Sequence, residues 1–281
     1  AVQLHGVALE HALNFQDDEE LVLSAMASEP DALRFAPGLQ SNKQFILCAM
    51  KSAGMSLRHA SPDLRADKDV VLAATCSCGM ALEFASEGLK QDEVVVWCAV
   101  CQDFRALQHA PAFQCNKDFV LRCATLSCEV LDFADESLKR DRDFAFSVLC
   151  VDVRALGFLA PELQSCRDVL LHGAALDDKA LEYSGAISKS DAFLKEARQL
   201  RGAAAMVRRH PTSRNIVLRG IAWHPLSAWF ASASLKEDPS FQEQAAWLAE
   251  HPASKDMPGH PGEKPLFSFS QDPPSAPVAA A

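Results

Sequence analysis

The chain has 281 residues, a formal charge of −10 and 49% hydrophobic residues, a composition typical of folded, water-soluble proteins. Its longest strongly apolar run, Val94 to Cys101, is too short to cross a bilayer, so we expect no transmembrane segment. The excess of acidic residues disfavours nucleic-acid binding, because the phosphate backbone is also negative.

A single pattern recurs along the chain every 24 or 25 residues, and an apolar pair marks each copy. The clear copies have their pairs at Ala8-Leu9, Ala32-Leu33, Ser56-Leu57, Ala81-Leu82, Ala106-Leu107, Val130-Leu131, Ala155-Leu156 and Ala180-Leu181. Two degenerate copies follow, at Ala203-Ala204 and Ser227-Ala228. Self-similarity at a fixed short period is the signature of a repeat array, in which each unit buries its apolar face against its neighbours.

A small polar residue stands nine or ten positions after each pair, and nine of these ten residues are Asp, Asn or Ser. They are Asp18, Asn42, Asp67, Asp92, Asn116, Asp141, Cys166, Ser190, Ser213 and Asp238. Asp, Asn and Ser accept hydrogen bonds from the free amides at the start of a helix. A helix is therefore predicted to begin at each position.

Apolar runs follow these caps, as in Val70-Val71-Leu72, and predict the buried side of a first helix. A second short helix or 3₁₀ segment then carries the apolar pair and ends in a turn. Proline recurs in that turn at Pro37, Pro62, Pro111 and Pro161, where we expect it to stop the helix.

These elements predict an all-α fold, an α-solenoid of about ten 24–25-residue units of paired short helices. The solenoid is expected to span residues 1–250, with clear units over 6–197 and degenerate units over 198–250. Residues 251–281 are rich in proline and predict an extended tail that does not join the core.

Two residues past the pair, the first six copies alternate between His and aromatic Phe: His11, Phe35, His59, Phe84, His109 and Phe133. The alternation doubles the period to about 49 residues. Because Phe, Tyr and Met fill the same position elsewhere, we interpret it as a half-buried position for a large side chain.

The stretches SLRHASPDLRADKDVVLAA (56–74) and ALEFASEGLKQDEVVVWCAV (81–100) resemble a family of unknown function. That family is built from helical repeats of about 49 residues and occurs in unicellular algae, other protists and some bacteria. The resemblance implies the fold and an interaction role, with no catalytic residues. The distribution of the family implies that the protein is a peripheral subunit of a large assembly in a photosynthetic organelle. The expected compartment is the stromal side of the chloroplast, and the cytoplasm is the alternative.

Four cysteines form the metal-like constellation of the chain: Cys76, Cys78, Cys98 and Cys101. The first pair is one residue closer than structural zinc sites usually require. In the repeat frame Cys76, Cys101 and Cys150 share one position, which favours an interpretation as reduced thiols in the core. A metal- or pigment-carrying protein that uses the cysteines or the histidines is the alternative hypothesis.

Catalytic sequence motifs are absent: the chain has no phosphate-binding glycine loop, no G-x-S-x-G, no H-E-x-x-H and no EF-hand spacing. Acidic pairs such as Asp17-Asp18 lie at caps and turns. We therefore expect a protein that is not an enzyme and needs no cofactor.

Basic residues concentrate near the C-terminal end, from Lys195 to Arg219, with Glu196 as the single acid among them. Arginine and tryptophan together are typical of interface hot spots. The predicted partner-binding residues are Arg198, Arg201, Arg208, Arg209, Arg214, Arg219, Trp223, Trp229 and Trp247. Their charge suits an acidic protein partner or an anionic membrane surface, and a solvated face of a degenerate repeat is the alternative interpretation.

Overall fold

The computed structural model describes residues 9–11, 13–183 and 190–250, and within these ranges it contains helices and turns but no strand. The predicted all-α repeat fold is confirmed. The chain forms two compact units that divide between Gly202 and Ala203. The proline-rich tail predicted at 251–281 lies outside the described residues.

The described residues form fifteen α-helices, α1 to α15 in chain order. They are α1 (Glu19–Ser28), α2 (Lys43–Met50), α3 (Pro62–Arg65), α4 (Lys68–Ser77), α5 (Glu93–Gln102), α6 (Pro111–Gln114), α7 (Lys117–Ala124), α8 (Glu136–Arg140), α9 (Arg142–Val151), α10 (Pro161–Gln164), α11 (Arg167–Leu176), α12 (Asp191–Arg209), α13 (Arg214–Trp223), α14 (Ala233–Lys236) and α15 (Pro239–Glu250).

Six-residue 3₁₀ helices carry the apolar pairs. Of the two predicted alternatives, a second short α-helix or a 3₁₀ segment, the structure therefore contains the 3₁₀ segment. These 3₁₀ helices span Pro30–Phe35, Gly54–His59, Gly79–Phe84, Phe104–His109, Cys128–Phe133, Val153–Phe158, Asp178–Tyr183 and Pro225–Phe230. Two three-residue 3₁₀ turns lie at Leu13–Phe15 and Leu89–Gln91. In the repeats that begin with α1, α2, α4, α5, α7, α9, α11 and α13, an α-helix of eight to ten residues is therefore paired with a 3₁₀ helix.

The predicted caps stand where the long helices begin. The side chains that accept a hydrogen bond from a first-turn amide are Asp18, Asn42, Asp67, Asp92, Asn116, Asp141 and Asp238. Cys166 and Ser213 occupy the same place without such a bond. The capping position thus persists in the backbone even where the side chain does not bond.

A second cap, which the sequence did not reveal, lies eleven residues after the first. At Asp103 and Asp152 the backbone there is extended, with φ near −150°, and the residue ends the α-helix and starts the 3₁₀ helix; Ala53, with φ −134° and ψ 59°, departs from this conformation. A side-chain acceptor at this position bonds the amide two residues ahead in Asp103, Ser127, Asp152, Asp177 and His224. A side chain that accepts a hydrogen bond here turns the chain from one helix to the next.

Helix α12 is the exception, because it runs unbroken for 19 residues where a separate α-helix and 3₁₀ helix were expected. The second-cap position in this repeat is Arg201, which carries donors but no acceptor and favours helix. Ala203 and Ala204, the predicted apolar pair, are buried on this helix. The prediction of paired short helices is therefore wrong for this repeat, although its buried pair is retained.

Proline in the inter-repeat turn starts a helix instead of only stopping one. Pro62, Pro111 and Pro161 occupy the first positions of α3, α6 and α10, where the missing N–H costs nothing. These one-turn helices are a third element of the repeat. Backbone hydrogen bonds also join consecutive turns, as from Ser86 N to Arg65 O at 2.9 Å.

Within the first unit the repeats form two rows. The long helices contact one another in sequence, as α2, α4 and α5 do, and the 3₁₀ helices form a parallel row of contacts. The core lies between the rows and includes Val70, Val71, Ala74 and Leu82, each fully buried. Leu72, which the sequence placed in the core, is only half-buried.

Ion pairs join several caps to the preceding repeat. In four repeats the basic first residue of a long helix pairs with the cap of the next long helix, as Lys43 does with Asp67 at 2.6 Å and Lys68 with Asp92 at 2.5 Å. Lys43 is the largest cause that holds the pKa of Asp67 below its ordinary value.

The type of cap varies with the charge of the helix before it. Lys117 pairs with Asp141 at 3.8 Å and Arg214 with Asp238 at 2.8 Å. Where the first residue is Glu instead, at Glu19 and Glu93, the next cap is a neutral Asn. Asn42 donates to Glu19 at 3.1 Å, so this cap is complementary to the helix before it.

Cys166→Asp should raise the free energy of unfolding by about 1 kcal/mol, because an acceptor would meet the unbonded amides of α11. Arg142, the first residue of the preceding long helix, is already paired with Asp168 beside it, as Lys43 is with both Asp67 and Asp69. Denaturant unfolding measures the change. Asp67→Ala, which removes an existing cap, should cost about 1 kcal/mol, and a Cys166→Asp variant no more stable than Cys166→Ala would contradict the assignment.

Candidate interaction surface

The four cysteines of the metal-like constellation, and Cys150 at the equivalent repeat position, do not lie in the core as predicted. Cys76, Cys101 and Cys150 are exposed, because their shared position is on the outer side of the last turn of a long helix. Cys78 and Cys98 are half-buried. The interpretation of these residues as buried core thiols is therefore wrong.

Two of these thiols meet. The Sγ atoms of Cys76 and Cys98 are 2.8 Å apart, whereas Cys78 and Cys101 are not part of that contact. Burial, followed by the neighbouring Cys76, raises the pKa of Cys98 to about 11. Among the described residues no group of three or more His, Cys, Asp or Glu side chains could hold a metal ion.

The histidines occupy the predicted half-buried position in two of three copies. His59 and His109 are half-buried and His11 is exposed. Burial is the main cause that lowers the pKa of both half-buried rings. His59 Nε2 lies 3.2 Å from Asp31 Oδ1 in the preceding repeat, so it takes part in a polar contact between repeats.

Two of the predicted partner-binding arginines bond within their own unit. Arg201 contacts Asp178 Oδ1 and the Ala174 carbonyl oxygen, both at 2.5 Å. Arg214 is half-buried and bonds Asp238, Ser240 and Gln244. Their donors stabilise the fold, which leaves them little capacity for a partner.

The remaining predicted arginines are exposed and belong to different units. Arg198 lies in the first unit, whereas Arg208, Arg209 and Arg219 lie in the second. They therefore present positive charge to solvent on each unit separately.

The three tryptophans predicted to bind a partner all lie in the second unit and differ in exposure. Trp223 and Trp229 are half-buried, and Lys236 Nζ lies 5.4 Å from the ring centroid of Trp229. Trp247 on α15 is 57% exposed. An aromatic side chain this exposed offers a large apolar contact area.

A row of apolar residues at one repeat position was not predicted from the sequence. Ten positions after the first cap, the first four repeats carry polar residues: Ser28, Ser52, Ser77 and Gln102. The next three repeats carry apolar residues at this position: Leu126, Val151 and Leu176. Leu126 is 56% exposed and Val151 42% exposed, and Leu176 is half-buried. In the second unit the same position is Trp223.

A surface pocket of about 210 Å³ opens beside Leu126. Its lining residues are Val100, Cys101, Gln102, Asp103, Phe104, Cys123, Leu126 and Ser127. The pocket lies where the ends of α5 and α7 meet the 3₁₀ helix that begins at Phe104. An apolar row next to a small pocket is the arrangement that accepts an anchoring side chain from a partner.

The fold and these surfaces define a helical-repeat protein. A family model described as "Domain of unknown function (DUF4116)" matches three consecutive segments, residues 18–65, 67–114 and 116–183, which together cover more than half of the chain. The chain belongs to this family, and the 48-residue length of the first two segments confirms the predicted double repeat.

No curated protein and no solved structure is significantly similar to the chain. None of the described helices is long and apolar enough to span a membrane.

Proposed function

We propose that this protein is a non-catalytic helical-repeat scaffold that binds other proteins. The observation that carries the proposal is the change from polar to apolar residues at one repeat position, from Ser28, Ser52, Ser77 and Gln102 to Leu126 and Val151. The same position in other repeats of this chain holds serine, so neither packing nor folding demands an apolar side chain there.

The occupant we propose is a protein segment that places an apolar side chain in the pocket beside Leu126. A pocket of about 210 Å³ is smaller than the sites that take drug-sized ligands and suits one anchoring side chain. Leu126 and Val151 lie in consecutive repeats, so a segment running along the repeats would contact both.

The second unit provides a separate contact of different chemistry. Arg208, Arg209 and Arg219 are exposed in a chain of net charge −10, and Trp247 is exposed in the same unit. An acidic protein surface would complement this charge, and aromatic contact area would add affinity. A role as a peripheral subunit of a large assembly, including one in a photosynthetic organelle, extends the proposal on the family's distribution alone.

The experiment compares tagged full-length chain with Leu126→Ser/Val151→Ser, which restores the residue that three earlier repeats carry. Proteins retained from a cell extract are quantified by mass spectrometry after mild cross-linking. Partners that use the row should fall about tenfold in yield, because removing an apolar anchor costs more than 1 kcal/mol of binding.

The matched control is Val94→Ser, which removes a valine that is 59% exposed at the opposite end of a long helix. It should retain the same partners as the native chain. Equal yields from all three proteins would contradict the role of the row.

Charge reversal at Arg208, Arg209 and Arg219 tests the second contact separately. Loss of an acidic partner in this variant alone would support it. If instead the native chain sediments with anionic lipid vesicles and the charge-reversed chain does not, the arginines bind membrane and the protein-partner assignment of this surface is wrong.

A further inference from the structure

Cys76 and Cys98 meet across the boundary between two consecutive repeats. Cys76 lies near the C-terminal end of α4 and Cys98 in the middle of α5, and their Sγ atoms are 2.8 Å apart. A disulfide needs about 2.05 Å between its sulfurs, so a small side-chain rotation would bring them to bonding distance. The two helices pack against each other along their length, so the approach does not require them to separate.

At other boundaries between repeats of the first unit, the positions equivalent to Cys76 and Cys98 do not both hold cysteine. Cys101 repeats the position of Cys76, but the caps of its own helix and of the next long helix, Asp92 and Asn116, are 24 residues apart instead of 25. The position of Cys98 is then filled by Arg122, and Cys123 turns inward, where burial raises its pKa to about 12. Farther along, Cys150 Sγ faces His172 Nε2 at 3.4 Å. Within the described ranges, a contact between two thiol sulfurs occurs at the α4–α5 boundary alone.

The two thiols differ in access in the way that a two-step oxidation requires. Cys76 is exposed and can meet a small oxidant from solvent, whereas Cys98 is half-buried behind it. Burial, followed by the neighbouring Cys76, also raises the pKa of Cys98 above that of an ordinary thiol. Cys76 is therefore the residue that reacts first, and Cys98 is the residue that resolves the product.

We propose that Cys76 and Cys98 form a reversible disulfide that links the two repeats covalently when the protein meets a hydroperoxide. The Cys76 thiol gives up its proton, the thiolate attacks one peroxide oxygen and the O–O bond breaks, which leaves a sulfenic acid on Cys76 and a hydroxide that takes up the proton to become water. The Cys98 sulfur then attacks the Cys76 sulfur, the S–O bond breaks, and the oxygen leaves as a second water with the Cys98 proton. Two thiols and one hydrogen peroxide thus give one disulfide and two waters, and a dithiol reductant reverses the change.

The link would hold α4 and α5 in their present contact and shorten the unfolded chain between them. Closing a loop of this kind removes conformations from the unfolded state and stabilises the folded one. The oxidised protein should therefore unfold at a higher temperature than the reduced protein.

The experiment treats the reduced full-length chain with hydrogen peroxide, blocks free thiols and maps tryptic peptides without reduction. Cleavage at Lys68, Lys90 and Arg105 places Cys76 and Cys78 in one peptide and Cys98 and Cys101 in another. We expect these two peptides to be joined, and to separate again after treatment with dithiothreitol. Cys76→Ser and Cys98→Ser should each abolish the joined peptide and the rise in unfolding temperature.

Cys78→Ser and Cys101→Ser are the matched controls, because each lies in the same pair of peptides but outside the contact. Both should keep the joined peptide and the thermal shift. Circular dichroism of each variant confirms that it folds. Sulfenic acid that accumulates on Cys76 without a joined peptide would overturn the proposal, and so would a link that survives Cys98→Ser but is lost in Cys101→Ser.

Discussion

Leu82→Ala and Leu107→Ala should each lower the free energy of unfolding by about 2–5 kcal/mol, the range for emptying a packed core. Both side chains are fully buried, and each belongs to the apolar pair of a 3₁₀ helix that packs between two neighbouring 3₁₀ helices. Because each repeat contacts only its neighbours, equivalent residues in interior repeats have equivalent surroundings. Denaturant unfolding should therefore show similar losses for the two variants.

Leu126→Ala is the control of identical chemistry, since its side chain is 56% exposed. It should change stability by no more than about 0.5 kcal/mol. Leu72→Ala, at a half-buried position, should fall between the control and the core variants. Losses at Leu82 and Leu107 that differ more than twofold would contradict the repeat-by-repeat account of stability.

Gly79→Ala should destabilise the protein by about 1–3 kcal/mol, the usual cost of overpacking. A Cβ atom at Gly79 would lie 2.3 Å from the Ala99 carbonyl oxygen and 2.9 Å from the Asp103 amide nitrogen. Both atoms belong to the backbone of the next repeat, so no side chain can rotate away. Gly54 has the same relation to Ala74, at 2.4 Å, in the repeat before. These glycines allow consecutive repeats to approach closely.

Gly88→Ala is the matched control, because nothing lies within 4 Å of a Cβ placed there and its backbone is already helical, with φ −64° and ψ −38°. It should stabilise the protein by about 0.4–1 kcal/mol through the unfolded state. Thermal or denaturant unfolding of both variants gives the comparison. Similar changes in the free energy of unfolding for the Gly79 and Gly88 variants would show that the close contact between repeats does not affect stability.

The long helices could be predicted because their starting signal is chemically narrow. Few residue types bond a first-turn amide, so Asp67 and Asn116 were recognisable from spacing alone. The second cap was not recognised, because its position tolerates Glu29, Ala53 and Cys78 as well as Asp103. The extended backbone there is supported by packing as much as by a side chain.

The thiol contact and the exposure of the arginines depend on how neighbouring helices face each other. The residues of a single repeat do not contain that information. The cysteine at position 76 was aligned correctly with Cys101, but its exposure and its contact with Cys98 follow from the rotation of α4 against α5. The arginine cluster looked uniform in sequence. Its members differ because Arg201 and Arg214 meet acceptors within their own units.

The coupling between each cap and the helix before it limits how such an array can gain or lose repeats. Loss of residues 67–91 would bring Lys43 opposite Asp92, an attractive pair like the one it replaces. Loss of residues 116–140 would bring Glu93 opposite Asp141, two negative charges at a helix start. Repeats in this chain are therefore not interchangeable. We expect the insertions or deletions that persist in evolution to be those that avoid like charges between the first residue of one long helix and the cap of the next.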